Sequence, residues 1–316
     1  MSSTKLPLVT IGLPVFNGEA FLDRAIQSLL NQEFYNFKLI IADNCSTDNT
    51  SLICKKYSEK DSRIEYFRHI ENRGASYNFQ FVLDQAKTEY FMWANHDDYW
   101  FPNFIKELVS ILDANNDCII AFPLSRYIDE EGHFLKQNSC LSKTLQPSHS
   151  EKWFNNSLRN SSFYKFLFAD ISSGKLDLSY GLFRKNKFNN SNLVSKWEDI
   201  LWGGDILIIA EILMHGNAYF IDVVLMEIMD RKNSSGVHID KTRNFVKIVK
   251  DTLSTVYLIN IWATRGHSRL FELESRFQIS KLNGYFFIFY QLLKSNFRML
   301  KVILKEIFNR LLLRRQ

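Results

Sequence analysis

A β-rich run, a polar loop and an amphipathic helix follow one another repeatedly in the first part of the chain, and this alternation restricts the fold more than any other feature. Val9-Thr10-Ile11-Gly12-Leu13-Pro14-Val15 gives way to Asn17-Gly18-Glu19, after which Phe21, Leu22, Ala25, Ile26, Leu29 and Leu30 recur at helical spacing. Lys38 to Asp43 repeats the pattern, with the short polar residues Asp43 to Asp48 suited to a turn before a helix from Thr50 to Tyr57. A third strand is expected at Ile64 to Phe67, a helix at about 75–86 and a fourth strand at Tyr90 to Ala94. Units of roughly 25–30 residues predict right-handed crossovers and a mostly parallel sheet. In such a sheet, Phe16-Asn17-Gly18, Asp43-Asn44 and Asn95-His96-Asp97-Asp98 converge on one edge.

The fourth run carries the sharpest chemistry. Phe91-Met92-Trp93-Ala94 leads straight into Asn95-His96-Asp97-Asp98. Adjacent carboxylates repel, and they stay ionised near neutral pH when a divalent cation or a donor network neutralises them. An exposed Asp-Asp turn reads the same in isolation. The carboxyl end of a buried parallel strand, where open α/β sheets bind ligands, sets this pair apart.

Composition narrows the remaining classes. With 46% hydrophobic and 23% charged residues over 316 positions, the chain is globular and not disordered. Cys45, Cys54, Cys118 and Cys140 form neither a CxxC pair nor a zinc spacing, and are expected to be reduced thiols. Residues 1–7 lack an apolar stretch, so a cytoplasmic location is expected, and no run reaches the roughly 18 apolar residues that span a bilayer. Residues 281–316 hold eight basic side chains against one acid, a balance of +7, whereas the whole chain is +5. The body is therefore slightly acidic, which argues against nucleic acid as a partner.

Val9 to Gln32, Asp43 to Thr50, Asn72-Arg73-Gly74 through Asn78, and Trp93 to Trp100 resemble, in that order, the donor-site motifs of family 2 glycosyltransferases. The resemblance is strong over residues 7–125 and looser over 195–235. It implies the GT-A fold: an α/β, Rossmann-like, mostly parallel sheet flanked by helices. It further implies a nucleotide-diphosphate sugar donor, with Pro14, Val15, Phe16 and Asn17 lining the nucleoside. Asp43 would accept a hydrogen bond from the base or ribose, with helix capping as its competing role. Asn72, Arg73 and Gly74 would approach the donor, although a solvated turn is an equally common use of that triplet.

By the same resemblance Asp98 would bind Mg²⁺ or Mn²⁺ directly, while Asp97 would face the ribose or a metal-bound water. The literal D-x-D pattern is absent, because His96 stands two residues before Asp98. Hard oxygen ligands suit these cations better than zinc. His96 reads as a hydrogen-bond partner, Asp48 as a helix cap and Asn78 as a cap or a bridge between loops. The acceptor hydroxyl needs a base, and Asp205, following Gly203-Gly204 at the start of a helix, matches the family position. Glu198-Asp199 is the competing pair. A carboxylate base opposite a metal-activated diphosphate implies inversion at the anomeric carbon. Arg231 to His238 resembles a basic segment that closes over the diphosphate.

These expectations divide the chain into a catalytic domain, 1–240, and a helical basic extension, 241–316. Within the domain, 7–125 is the donor half and 126–240 the acceptor half. The segment 128–196 reads as irregular. In the extension, Lys294, Arg298, Lys301 and Lys305 form one helical stripe, and Phe297, Leu300, Leu304, Ile307 and Leu311 another. That pattern suits an anionic membrane surface, or a helix packed on the domain with a solvated basic face. The expected activity is a metal-dependent, inverting transfer of a sugar to a glycan or lipid-linked acceptor at the inner face of the membrane, in cell-surface polysaccharide synthesis. A nucleotidyltransferase is disfavoured because Gly12 to Glu19 contains no Lys or Arg. A processive synthase is disfavoured by the missing Gln-x-x-Arg-Trp motif. A binding module without turnover is the non-enzymatic alternative.

Overall fold

The computed structural model describes residues 7–137, 179–188, 193–194, 208–209, 212 and 215–230. All of them belong to one compact unit. Strand β1 (Val9–Val15) is buried at every position, as expected for a strand covered on both faces. It pairs in parallel with β2 (Phe37–Asp43) on one side and β4 (Tyr90–Trp93) on the other, and β2 pairs in parallel with β3 (Ile64–Arg68). Helices α1 (Leu22–Leu30), α2 (Thr50–Lys60) and α3 (Ala75–Gln85) make the crossovers. Pro14 is tolerated within a central strand because the pairing of β1 with β4 ends at Gly12–Trp93, so the missing N–H is not needed on that side.

The order β3-β2-β1-β4 contains a topological switch. The chain winds outward from β1 to β3, and α3 then returns it to the opposite side of β1. Doubly wound sheets bind ligands in the crevice that such a switch leaves between the carboxyl ends of the flanking strands, here β1 and β4.

Beyond β4 the sheet becomes mixed, which departs from the expected mostly parallel arrangement. Strand β5 (Tyr99–Trp100) and helix α4 (Phe104–Ala114) lead to β6 (Cys118–Ile128), followed by β7 (Phe134–Gln137), β8 (Leu182–Arg184) and β9 (Asn217–Met229). Strand β8 is antiparallel to both β4 and β6, β7 is antiparallel to β6, and β5 is antiparallel to β9; only β6 and β9 pair in parallel here. Two of these strands, β7 and β8, lie within the segment expected to be irregular. At four and three residues they are too short to show a period. Buried Gln32 joins the halves, donating to Phe101 O at 2.8 Å and accepting from Ile105 N at the start of α4 at 3.0 Å.

Among the described residues no helix is long and apolar enough to cross a membrane. Cys45, Cys54 and Cys118 are free thiols, and Cys140 lies outside the described residues. Burial, followed by the negative charge of Asp43, pushes the Cys54 thiol up to about 12, so it stays protonated at neutral pH.

Candidate donor-binding site

The loops after β1 and β2 are sewn together by side chains. Asn17 N–H donates to Ser46 Oγ at 2.9 Å, Gly18 N–H to Thr50 Oγ1 at 2.8 Å, and Thr47 N–H returns to Asn17 Oδ1 at 2.9 Å. Asp48 accepts from Glu19 N–H at 3.1 Å and from Thr50 N–H at 3.0 Å, while Glu19 accepts from Asn49 N–H at 2.9 Å. Each such bond contributes about 1 kcal/mol net. Burial works against the charged Asp48, but the hydroxyl and amide of Thr50 and the amide of Glu19 outweigh it and hold the carboxyl below its usual range. Asp48 therefore stabilises the start of α2, as its sequence position indicates. Asn17 (φ 50°) and Cys45 (φ 62°) take up the left-handed turns that bring the loops together.

Within this frame the four residues expected to line a nucleoside divide into two pairs. Pro14 and Val15 are buried in β1, whereas Phe16 and Asn17 are exposed. Phe16, 42% exposed at the strand end, is an aromatic side chain accessible to a ligand.

Asp43 departs from the expectation of direct nucleotide contact. Its side chain is fully buried at the end of β2. Oδ1 accepts from Ser46 N–H at 2.8 Å; Oδ2 accepts from the Tyr66 hydroxyl at 3.0 Å and lies 3.4 Å from Arg68 Nε. In this arrangement Asp43 locks the turn and has no surface to offer a ligand. Burial, then the charge of Asp43 and its hydrogen bond, raises the Tyr66 hydroxyl well above its ordinary range, so Tyr66 remains the donor. Tyr66 and Arg68 carry no signal in sequence because β3 places them opposite Ile41 and Asp43 of β2 only through sheet register.

Asn72, Arg73 and Gly74 lie exposed at the start of α3. Gly74 has φ 84° with open space where a Cβ would stand, so backbone conformation, not crowding, demands glycine there. The Arg73 guanidinium lies 3.7 Å from the centre of the Tyr77 ring. Asn78 is buried and bridges the strand ends, donating to Ala42 O at 2.8 Å and Val15 O at 3.4 Å while its Oδ1 faces His69 Nε2 at 3.0 Å. Since Oδ1 only accepts, His69 carries a proton on Nε2.

The two acids after β4 differ in their surroundings. Asp98 is 2% exposed; Oδ1 accepts from Met229 N–H and Oδ2 from Asn95 Nδ2, both at 3.1 Å. Asn95 also donates to the Tyr180 hydroxyl at 3.2 Å. Asp97 is partly exposed. The His96 ring packs against Gly18, where an added Cβ would come within 2.8 Å of Cδ2, so glycine is what lets the first loop and the acid loop meet. Asp97, partly exposed, and Asp98, buried with each oxygen accepting one hydrogen bond, are hard-oxygen donors of the kind that suits Mg²⁺ or Mn²⁺. The further group Asp129, Glu131 and His133 sits in the exposed β6–β7 turn, where Asp129 accepts from the amides of Glu131 and His133 and is spent on the turn. Asp205, Glu198, Asp199, residues 231–238 and the extension 241–316 lie outside the described residues.

The chain is 35% identical over 134 residues to an uncharacterized glycosyltransferase of Rickettsia typhi, covering 42% of this chain and 41% of that protein. It is 28% identical over 116 residues to the putative teichuronic acid biosynthesis glycosyltransferase TuaG of Bacillus subtilis, covering 37% of this chain and 46% of that one. The chain spans about two fifths of the Rickettsia typhi protein and about one fifth of two further Rickettsia relatives. The crystal structure of S. aureus TarS in complex with UDP-GlcNAc matches 93% of this chain and 73% of that one, with a TM-score of 0.59 at 16% identity, a likeness of fold. The glycosyl transferase family 2 model matches residues 10–173, just over half of the chain. With the switch-point crevice and the acid pair already in place, that match makes this chain a member of glycosyl transferase family 2.

Proposed function

We propose that this protein transfers a sugar from a nucleoside diphosphate donor to a hydroxyl of a glycan or lipid-linked acceptor in the building of a cell-surface polysaccharide. The observation that carries the proposal is that Phe16, the Arg73 loop and the Asp97-Asp98 pair follow the carboxyl ends of the parallel strands β1, β3 and β4, on one edge of the sheet beside the β1–β4 switch point. A base, a ribose and a pyrophosphate present a flat apolar face, hydroxyls and anionic oxygens, and these side chains offer matching partners for each. TarS, of the same fold, is described with UDP and with UDP-GlcNAc, which makes uridine the first base to try.

In this reading Phe16 stacks on the base, Arg73 meets an anionic or carbonyl oxygen of the nucleotide, and Asp97 faces the ribose or a metal-bound water. A divalent cation bound by Asp98 would supply charge neutralisation for the departing diphosphate. Asp98, anchored by Met229 N–H and Asn95, keeps the acid loop in register for that task. Asp205 takes the acceptor proton, with Glu198-Asp199 as the alternative, and a single displacement inverts the anomeric carbon. The domain ends near residue 240. The basic stripe of residues 294–305 then holds the enzyme on the anionic inner face of the membrane.

Thermal shift against a panel of nucleoside diphosphates, with and without Mn²⁺, tests the donor. Stabilisation that requires both the metal and one base is expected, and no stabilisation by any pair overturns the reading. Loss of transfer in Asp205→Asn with donor binding retained tests the base. Sedimentation with phosphatidylglycerol vesicles, lost on deletion of residues 281–316, tests the membrane attachment.

A further inference from the structure

Asn44 is a buried side chain of the site frame whose bonds all reach one loop. At 2% exposure it follows β2, where its backbone N–H donates to Val15 O at 2.9 Å. Its side chain turns away from both strands. Oδ1 accepts from Arg73 N–H at 3.0 Å, and Nδ2 donates to Asn72 Oδ1 at 2.8 Å and Gly74 O at 3.1 Å. Asn72 Oδ1 in turn accepts from Gly74 N–H at 2.9 Å, so the amide of Asn44 and the loop close a small network.

We infer that Asn44 is a positioning residue for Arg73, holding that arginine toward the nucleotide; the inference rests on the donor reading above. Three bonds from one buried amide hold the backbone of Arg73 and Gly74 and the side chain of Asn72 to the end of β2. The Tyr77 ring, 3.7 Å from the guanidinium, fixes the far end of the same side chain. Arg73 is thus held at its backbone by Asn44 and at its head by the next turn of α3. Without Asn44 the arginine keeps its charge and its ring contact but loses its origin, and the exposed loop 71–75 is free to sample other paths. Neither Asp nor Ser replaces the amide fully, because a carboxylate accepts from Arg73 N–H but has nothing to donate to Asn72 Oδ1 or Gly74 O.

The test measures UDP binding in the presence of Mn²⁺ by calorimetry for wild type, Asn44→Ala, Arg73→Ala and the double variant, with amide exchange at Arg73 followed alongside. A residue acting through Arg73 weakens UDP by about tenfold when removed, and the double variant is no weaker than Arg73→Ala. Exchange at the Arg73 amide rises at least tenfold in Asn44→Ala. Additive losses, or unchanged UDP affinity with exchange accelerated, overturn the inference. Should Asn44→Ala not fold, Asn44→Asp carries the same comparison, with a smaller loss of affinity expected. Wild-type protein that fails to bind any nucleoside diphosphate, with exchange still dependent on Asn44, instead overturns the donor reading and leaves Asn44 as a loop anchor only.

Discussion

The β3-β2-β1-β4 half of the sheet and the β8-β6-β9-β5 half meet the same crevice but are held by contacts of very different reach. In the first half, loops about 30 residues apart exchange short-range hydrogen bonds, as Asn17 does with Ser46 and Thr47. In the second, Asp98 is held by Met229, 131 residues on, and Arg24 by Glu227, 203 residues on. Glu227 also accepts from Arg126 Nε at 2.8 Å, while Arg24 and Arg126 lie over the Tyr99 and Phe101 rings. On the proposed reading the parallel half shapes the nucleotide face, and the mixed half sets where the acids stand.

The sharpest way to break this comparison is to remove the acids one at a time. Asp97→Ala and Asp98→Ala are each expected to cut sugar transfer by about 10²–10³-fold. Only Asp98→Ala should also lower stability, by about 2 kcal/mol, because Met229 N–H and the Asn95 amide lose their acceptor. Chemical denaturation separates the two, and equal stability losses would remove the distinction. A second test strikes the far half: Glu227→Gln is expected to destabilise by about 1–2 kcal/mol, reduced from a fully buried pair because Arg24 and Arg126 are 37% and 43% exposed. Donor affinity should be little changed.

Glycine substitutions sharpen the parallel half. Gly18→Ala places a Cβ 2.7 Å from Val15 Cγ2 and 2.8 Å from His96 Cδ2, and should weaken UDP binding more than tenfold by displacing the acid loop. Gly74→Ala meets no atom, and its cost of about 1–3 kcal/mol comes from the backbone conformation alone, φ 84° with ψ 165°. The smallest effect concerns pH. The Asp48 carboxyl is depressed in the fold, so its stabilisation is present above the unfolded value of 3.8 and is lost as pH falls through the lower folded value. Between pH 5 and about pH 3, wild type should therefore lose melting temperature more steeply than Asp48→Asn. Parallel slopes would show that Asp48 is not charged in this role.

Much of the parallel half was legible because its elements are local. The strand Val9–Val15 matches its expected limits, and α3 begins at Ala75 as its glycine indicates. The apolar runs Cys118 to Pro123 and Ala218 to Leu225 read as strands in the sequence, but β6 runs five residues past the first and β9 begins one residue before and ends four past the second, since pairing with each other extends them where no local pattern does. The sequence leaves the role of Asp43 open for a related reason. A strand-end aspartate looks the same whether it faces a ligand or a buried tyrosine, and Tyr66 reaches it only through the register of β2 and β3.

Sequence by itself determined the βαβ succession, the polar strand ends and the presence of paired acids, because hydrophobic period and turn residues act over a few positions. Tertiary structure alone decided that the sheet is mixed, that Asp43 is spent inside and that Asp98 is anchored by β9. It also decided that Asn44 holds the Arg73 loop. Each of these depends on hydrogen bonds whose partners are 23 to 131 residues apart, and only the assembled sheet brings them within reach.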